Sequence, residues 1–160
     1  MHRLSSAFVL GYHGCDRKVG EQLLDGKPFR LEDAKGDVVL VVFWATWCLP
    51  VAEEIPWLEE TYQTYRDRGF RIIGIDVDAA QSDVVDPKSV IPNVRRFLVE
   101  FNIPWPTLVN GQGDKDLTRA YAIAEIPANV LIGRDGKVIH LDLVGPKLDK
   151  AVGEAVAQKP

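Results

Sequence analysis

Unbroken apolar stretches, rather than alternating ones, mark the centre of the chain. Val38-Val39-Leu40-Val41-Val42-Phe43-Trp44 is apolar at every position, the pattern of a central strand covered on both faces. Arg71 to Val77, through Ile72, Ile73, Gly74 and Ile75, repeats it and predicts a parallel neighbour. Between the two the spacing changes. Val51, Ile55, Leu58, Tyr62 and Tyr65 fall three or four apart, which predicts a helix from about Pro50 to Arg68, kinked at Pro56 and stopped by Gly69. Strand, helix and strand in that order form a crossover unit.

Weaker patterns extend this frame in both directions. Leu24-Asp25-Gly26-Lys27-Pro28-Phe29 reads as a turn between two short extended pieces, Asp-Gly supplying the positive φ of a tight reversal. Lys35-Gly36-Asp37 is a second turn. Ala79 to Pro92 is polar and holds two prolines, so a surface loop is expected there. Asn93 to Phe101 places Val94, Phe97, Leu98 and Phe101 on one face and predicts a second crossover helix. Thr107 to Val109 reads as a strand, Leu117 to Tyr121 as a short helix and Ala128 to Ile132 as a further strand. Arg134-Asp135-Gly136-Lys137 turns the chain antiparallel into Val138 to Leu143, and Leu148 to Ala157 closes it as a helix. The expected class is α/β, a central mixed sheet flanked by helices, formed by residues 21–160 behind a poorly defined N-terminal extension, 1–20.

Composition narrows the function classes. A chain of 160 residues, 46% hydrophobic, buries one sizeable core. A net charge of −4 with interspersed signs provides no basic stripe, which argues against nucleic acid as a partner. Two cysteines, Cys15 and Cys48, exclude a disulfide-stapled scaffold and a cysteine-rich zinc site. His13 and Cys15 lack a second pair at zinc spacing, so no metal site is expected. Gly14-Cys15 after a short apolar run has the outline of a lipoprotein cleavage site, but Tyr12-His13 fit it poorly. No apolar run approaches a membrane span, and Ala7 to Leu10 is too short for a signal-peptide core. An exported form would carry its leader outside this sequence.

The chemistry concentrates at Trp44-Ala45-Thr46-Trp47-Cys48-Leu49-Pro50-Val51, where the buried strand hands over to the helix. A thiol at a helix N-terminus meets unpaired N–H groups and the positive end of the macrodipole, so its thiolate is favoured and it is expected to act as a partly exposed nucleophile. The segment closely resembles the Trp-Cys-x-Pro-Cys site of thioredoxin-fold proteins, in the form of TlpA/ResA-like thiol–disulfide oxidoreductases of the redoxin family, from about residue 24 to 157. Val51 stands where that pattern has its second cysteine. Val42 stands where bare thioredoxins carry a buried aspartate, and the long interval from Cys48 to Pro127 leaves room for an extra strand and helix, as in the TlpA/ResA branch.

The resemblance implies roles for further residues. Ile126-Pro127 matches the cis-proline loop opposite the cysteine, where Ile126 backbone groups would pair with a substrate strand. Glu54 matches a glutamate that handles protons; its spacing from Cys48 places it below the first helical turns, on a side roughly opposite to Val51. Trp47, Leu49 and Pro50 would line the substrate groove with Ile126 and Pro127. The implied partners are protein or small-molecule thiols and disulfides, with no cofactor, in an extracytoplasmic bacterial setting, periplasmic or membrane-tethered.

With one sulfur the expected function is that of a monothiol oxidoreductase, Cys48 forming mixed disulfides that await an external thiol. A Cys15–Cys48 bridge is the sole internal alternative. Two other readings compete: a thioredoxin-fold binding module that has lost catalysis, and a one-cysteine peroxidase, whose motif would need proline and threonine or serine where Val41 and Ala45 stand. An artificial trap lacking its resolving cysteine would ordinarily carry serine or alanine at 51.

Overall fold

The computed structural model describes residues 21–29, 31–81, 83–113 and 116–159; the expected N-terminal extension, with Cys15, lies outside them. Strands β1 (Glu21–Gln22) and β2 (Pro28–Phe29) pair antiparallel around the Asp25-Gly26 turn, where Gly26 takes φ 83°. The main sheet holds β3 (Val38–Trp44), β4 (Phe70–Asp76), β5 (Thr107–Val109), β6 (Ala128–Ile132) and β7 (Val138–Leu141), in the order β5-β4-β3-β6-β7. The strand with the longest unbroken apolar run, β3, occupies the centre and is buried at every residue. It runs parallel to β4, with Val38 opposite Phe70 and Trp44 opposite Asp76, and antiparallel to β6, with Phe43 opposite Ala128.

Helix α1 (Leu49–Tyr65) connects β3 to β4 and buries Val51, Ile55, Leu58 and Thr61. It passes through Pro56, whose missing N–H leaves the Ala52 carbonyl without its ordinary helical donor. Its end comes one turn before the sequence suggested. Arg66–Arg68 tightens into a 3-10 turn, and Gly69 stops it at φ 79°, a conformation that only glycine adopts freely. Helix α2 (Ile91–Glu100) starts before the expected Asn93, because Pro92 is tolerated in a first turn. It buries Val94, and its Phe97 ring lies 4.8 Å from that of Trp44. Helices α3 (Leu117–Ala120) and α4 (Pro146–Ala157) complete the chain, with Leu148, Val152 and Val156 of α4 turned inward as predicted.

Two expectations need correction. Ala79 to Pro92 is not wholly a surface loop: 3-10 turns form at Asp78–Ala80 and Pro87–Val90, and Ala79 and Val90 are buried. Strand β7 ends at Leu141 rather than Leu143, because Asp142 adopts φ 51° and leaves the sheet. The Asn129 side chain then grips Leu143 from both sides, its Nδ2 donating to the Leu143 carbonyl at 2.8 Å and its Oδ1 accepting the Leu143 N–H at 3.0 Å. The carboxyl ends of β3 and β4 and the amino end of β6 share one edge of the sheet. The segments after Trp44, after Asp76 and before Ala128 therefore emerge together.

Candidate active site

Cys48 is the N-cap of α1, with extended dihedrals and no side-chain cap of its own. Its N–H donates to the Ala45 carbonyl at 3.1 Å, and its carbonyl accepts the Val51 N–H at 3.1 Å. The sulfur therefore sits beside the first-turn amides, four of which have no helical acceptor in any α-helix. Its S–H donates to the Ile126 carbonyl at 3.8 Å, and the Ile126-Pro127 peptide is cis, as the sequence led us to expect. The thiol is not partly exposed, however. Cys48 is 8% exposed, with the Ile126 carbonyl against its sulfur.

The remaining sequence-derived residues fall into two groups. Trp47 (54% exposed), Leu49 (82%) and Pro50 form an apolar shelf open to solvent beside Cys48. Ile126 and Pro127 are half-buried. Much of the Trp47 ring is exposed, and the contact recorded on the sulfur is the Ile126 carbonyl. Trp44 is core.

Val51, one helical turn from Cys48, is buried and supplies only methyl groups. Glu54 follows it by three residues, so the two are neighbours on one side of α1 rather than on opposed sides. Glu54 is half-buried; burial first, and the charge of Asp142 second, raise its pKa above the ordinary 4.5. A carboxyl so perturbed exchanges protons closer to neutral pH.

Several residues at this edge escaped the sequence reading. Asp142 reaches Glu54's surroundings because its N–H donates to the Asn129 carbonyl at 2.9 Å while the Asn129 side chain holds the next residue. Asn129 carried a signal, a lone amide in an otherwise apolar strand, since buried polar side chains almost always have partners to hold. Asp78 accepts both the N–H and the hydroxyl of Thr46, two residues before Cys48. Asp76 lies buried beneath it. Both acids were visible at a strand end, but nothing in the sequence paired them with Thr46.

Comparison with known proteins agrees with this geometry. The redoxin family model matches residues 17–158. The ResA thiol-disulfide oxidoreductase of Bacillus thuringiensis subsp. konkukian is 33% identical over 117 residues, which is 73% of this chain and 61% of that protein. ResA of Bacillus subtilis is 28% identical over the same length, 59% of its own. The chain thus spans about three fifths of the length of these relatives. Among solved structures, the thioredoxin domain of a thiol-disulfide oxidoreductase from Bacteroides vulgatus superposes with a TM-score of 0.71 at 29% identity, covering 85% of this chain and 91% of that one. A thioredoxin-family thiol:disulfide interchange protein from Chlorobium tepidum gives 0.68 at 30%, with the same coverage. The match over most of the chain, the mixed sheet and the cysteine facing a cis-proline loop agree: this chain belongs to the redoxin family, in its TlpA/ResA-like branch of thioredoxin fold.

Proposed function

We propose that the protein carries out thiol–disulfide exchange with one sulfur. The observation that supports this reading best is the Cys48 thiol at the N-cap of α1, set against the Ile126 carbonyl of the cis-proline loop. Cys48 loses its proton, and its thiolate attacks one sulfur of a disulfide R–S–S–R′. The Cys48–S–S–R bond forms, the S–S bond of the substrate breaks, and R′S⁻ leaves. Glu54, with its raised pKa, accepts the first proton and returns one to the departing thiolate. Val51 has no sulfur to attack that of Cys48 and expel RS⁻, so release falls to an external thiolate, which attacks the R sulfur, forms a new disulfide with it and frees the Cys48 thiolate.

Trp47, Leu49 and Pro50 support the apolar flank of the substrate, and Ile126 with Pro127 its other edge. The partners are protein or small-molecule thiols and disulfides, and the chemistry needs no cofactor. The family resemblance supports an extracytoplasmic site of action, where substrate disulfides persist. Among the described residues no helix is long and apolar enough to cross a membrane.

Mass spectrometry after mixing with a peptide disulfide tests the proposal. One adduct on Cys48, located by peptide mapping apart from Cys15, absent in Cys48→Ser and cleared catalytically once glutathione is added, is the expected result; a Cys48 that stays unmodified overturns it. A second reading, a binding module, draws on the contrast between the buried thiol and the exposed Trp47 and Leu49. It requires a reduced peptide to bind wild type and Cys48→Ser equally well.

A further inference from the structure

Between the end of β3 and the N-cap of α1 the chain crosses Ala45, Thr46 and Trp47 with no ladder or helix to hold it. We propose that Asp78 is the positioning residue of this crossing, a carboxylate clamp on Thr46 that holds the Cys48 sulfur against Ile126, with the buried Asp76 beside it. The inference rests on Cys48 being the reacting sulfur.

The clamp uses both oxygens. Asp78 Oδ1 accepts the Thr46 N–H at 2.8 Å, and Oδ2 accepts the Thr46 hydroxyl at 2.6 Å. Backbone and side chain of one residue are thus fixed together, two positions before Cys48. Val77 N–H donates to the Trp44 carbonyl at 2.8 Å, which brings the chain after β4 alongside the crossing. Asp78 is itself immobilised: it is 6% exposed, opens the Asp78–Ala80 turn, and donates its N–H to Asp76 Oδ1 at 3.2 Å.

Asp76 explains why the clamp is stable. Its side chain is fully buried, and Oδ2 has no hydrogen-bond partner among the described residues. Burial first and the neighbouring Asp78 second push its pKa up to about 8. Its register partners, Trp44 on β3 and Val109 on β5, do not ionise, nor do the inward Val94 and Phe97 of α2 or the buried side chains of α1. At neutral pH Asp76 is thus largely the neutral acid, beside the Asp78 oxygens that accept from the two Thr46 donors. Ionising Asp76 would set two negative groups side by side and weaken the grip on Thr46.

Alkylation of Cys48 by iodoacetamide reads this directly, and independently of disulfide exchange: a wrong clamp leaves mixed-disulfide formation intact, whereas a wrong exchange mechanism leaves the alkylation pattern intact. Loosening the crossing uncovers the buried thiol. Asp78→Ala removes both bonds to Thr46 and should alkylate faster by on the order of tenfold or more, as loss of two charge-assisted bonds implies. Asp78→Asn, which keeps an acceptor, should return most of the way to wild type. Thr46→Val removes one donor at nearly constant shape and should show several-fold acceleration, even if Asp78→Ala does not fold. The ratio of wild-type to Asp76→Asn rates cancels ionisation of the thiol itself, and should rise as pH passes about 8. Thr46→Val at the wild-type rate, or a flat ratio across about two pH units either side, overturns the proposal.

Discussion

Replacing Val51 by cysteine restores the sulfur that the family pattern has, and the structure sets both what this costs and what it should yield. Val51 is the third residue of α1, 4% exposed, and its N–H already bonds to the Cys48 carbonyl at 3.1 Å. The exchange removes about one buried methyl group, worth about 0.8 kcal/mol, at nearly conserved volume. For a chain of this size that lowers Tm by roughly 2–3 °C. The yield is kinetic. A thiol one helical turn from Cys48 resolves the mixed disulfide within the molecule, and well-oriented intramolecular groups reach effective molarities of ~10⁵ M or more. Turnover should therefore rise by on the order of 10²-fold or more over an external thiol. Insulin reduction measures turnover, and peptide mapping of the oxidised variant finds the 48–51 disulfide. A variant that folds within the stated Tm window, forms no such disulfide and reduces no insulin would refute the reasoning, and the binding-module reading would then explain the site better.

Glu54 holds its proton to higher pH in the fold than its ordinary 4.5, so between those values the folded state binds more protons than the unfolded one and stability falls as pH rises. Glu54→Gln should flatten that fall in urea midpoints taken at successive pH values; an unchanged slope would show that Glu54 is not perturbed. Arg134 donates to four backbone carbonyls, Gly36 at 2.7 Å, Arg68 at 2.9 Å, Val156 at 3.1 Å and Gln158 at 3.2 Å, tying α4 to the turns before β3 and β4. Arg134→Ala should cost about 2–3 kcal/mol in urea denaturation, and Arg134→Lys should recover only part, because an ammonium cannot fork among several acceptors. A cost under ~0.5 kcal/mol for the alanine variant would mean that these bonds merely replace water.

The strands were legible because their signal is local. Seven consecutive apolar residues in β3 leave few alternatives to a strand covered on both faces, and the spacing of Val51, Ile55 and Leu58 fixes the buried side of α1. Boundaries were less legible, since Gly69, Asp142 and Pro92 act through dihedrals that a neighbouring element can absorb or refuse. The acids were least legible. Glu54 could be found by its distance from Cys48 along one helix, whereas Asp78 meets Thr46 across 32 positions of sequence and the Asp142 charge acts on Glu54 across 88 (142 − 54). Long-range contacts of this kind are set by strand register, and a register is known only once the sheet exists.

The same distinction explains how a site of this type can stand with one sulfur. No bond that places Cys48 involves the side chain at position 51: the N-cap position comes from the helix start, the crossing is held by Asp78 on Thr46, and the sulfur rests on the Ile126 carbonyl, itself placed by the register of β6 on β3. Residue 51 contributes a buried apolar volume that valine fills. In a site so divided, loss of the second thiol removes the resolving step and leaves attack intact. Where attack persists without internal resolution, the lifetime of the mixed disulfide is set by the concentration and reactivity of outside thiols. If Cys48 exchanges as proposed, a chain built this way acts less as a turnover catalyst than as a holder of its partner's sulfur.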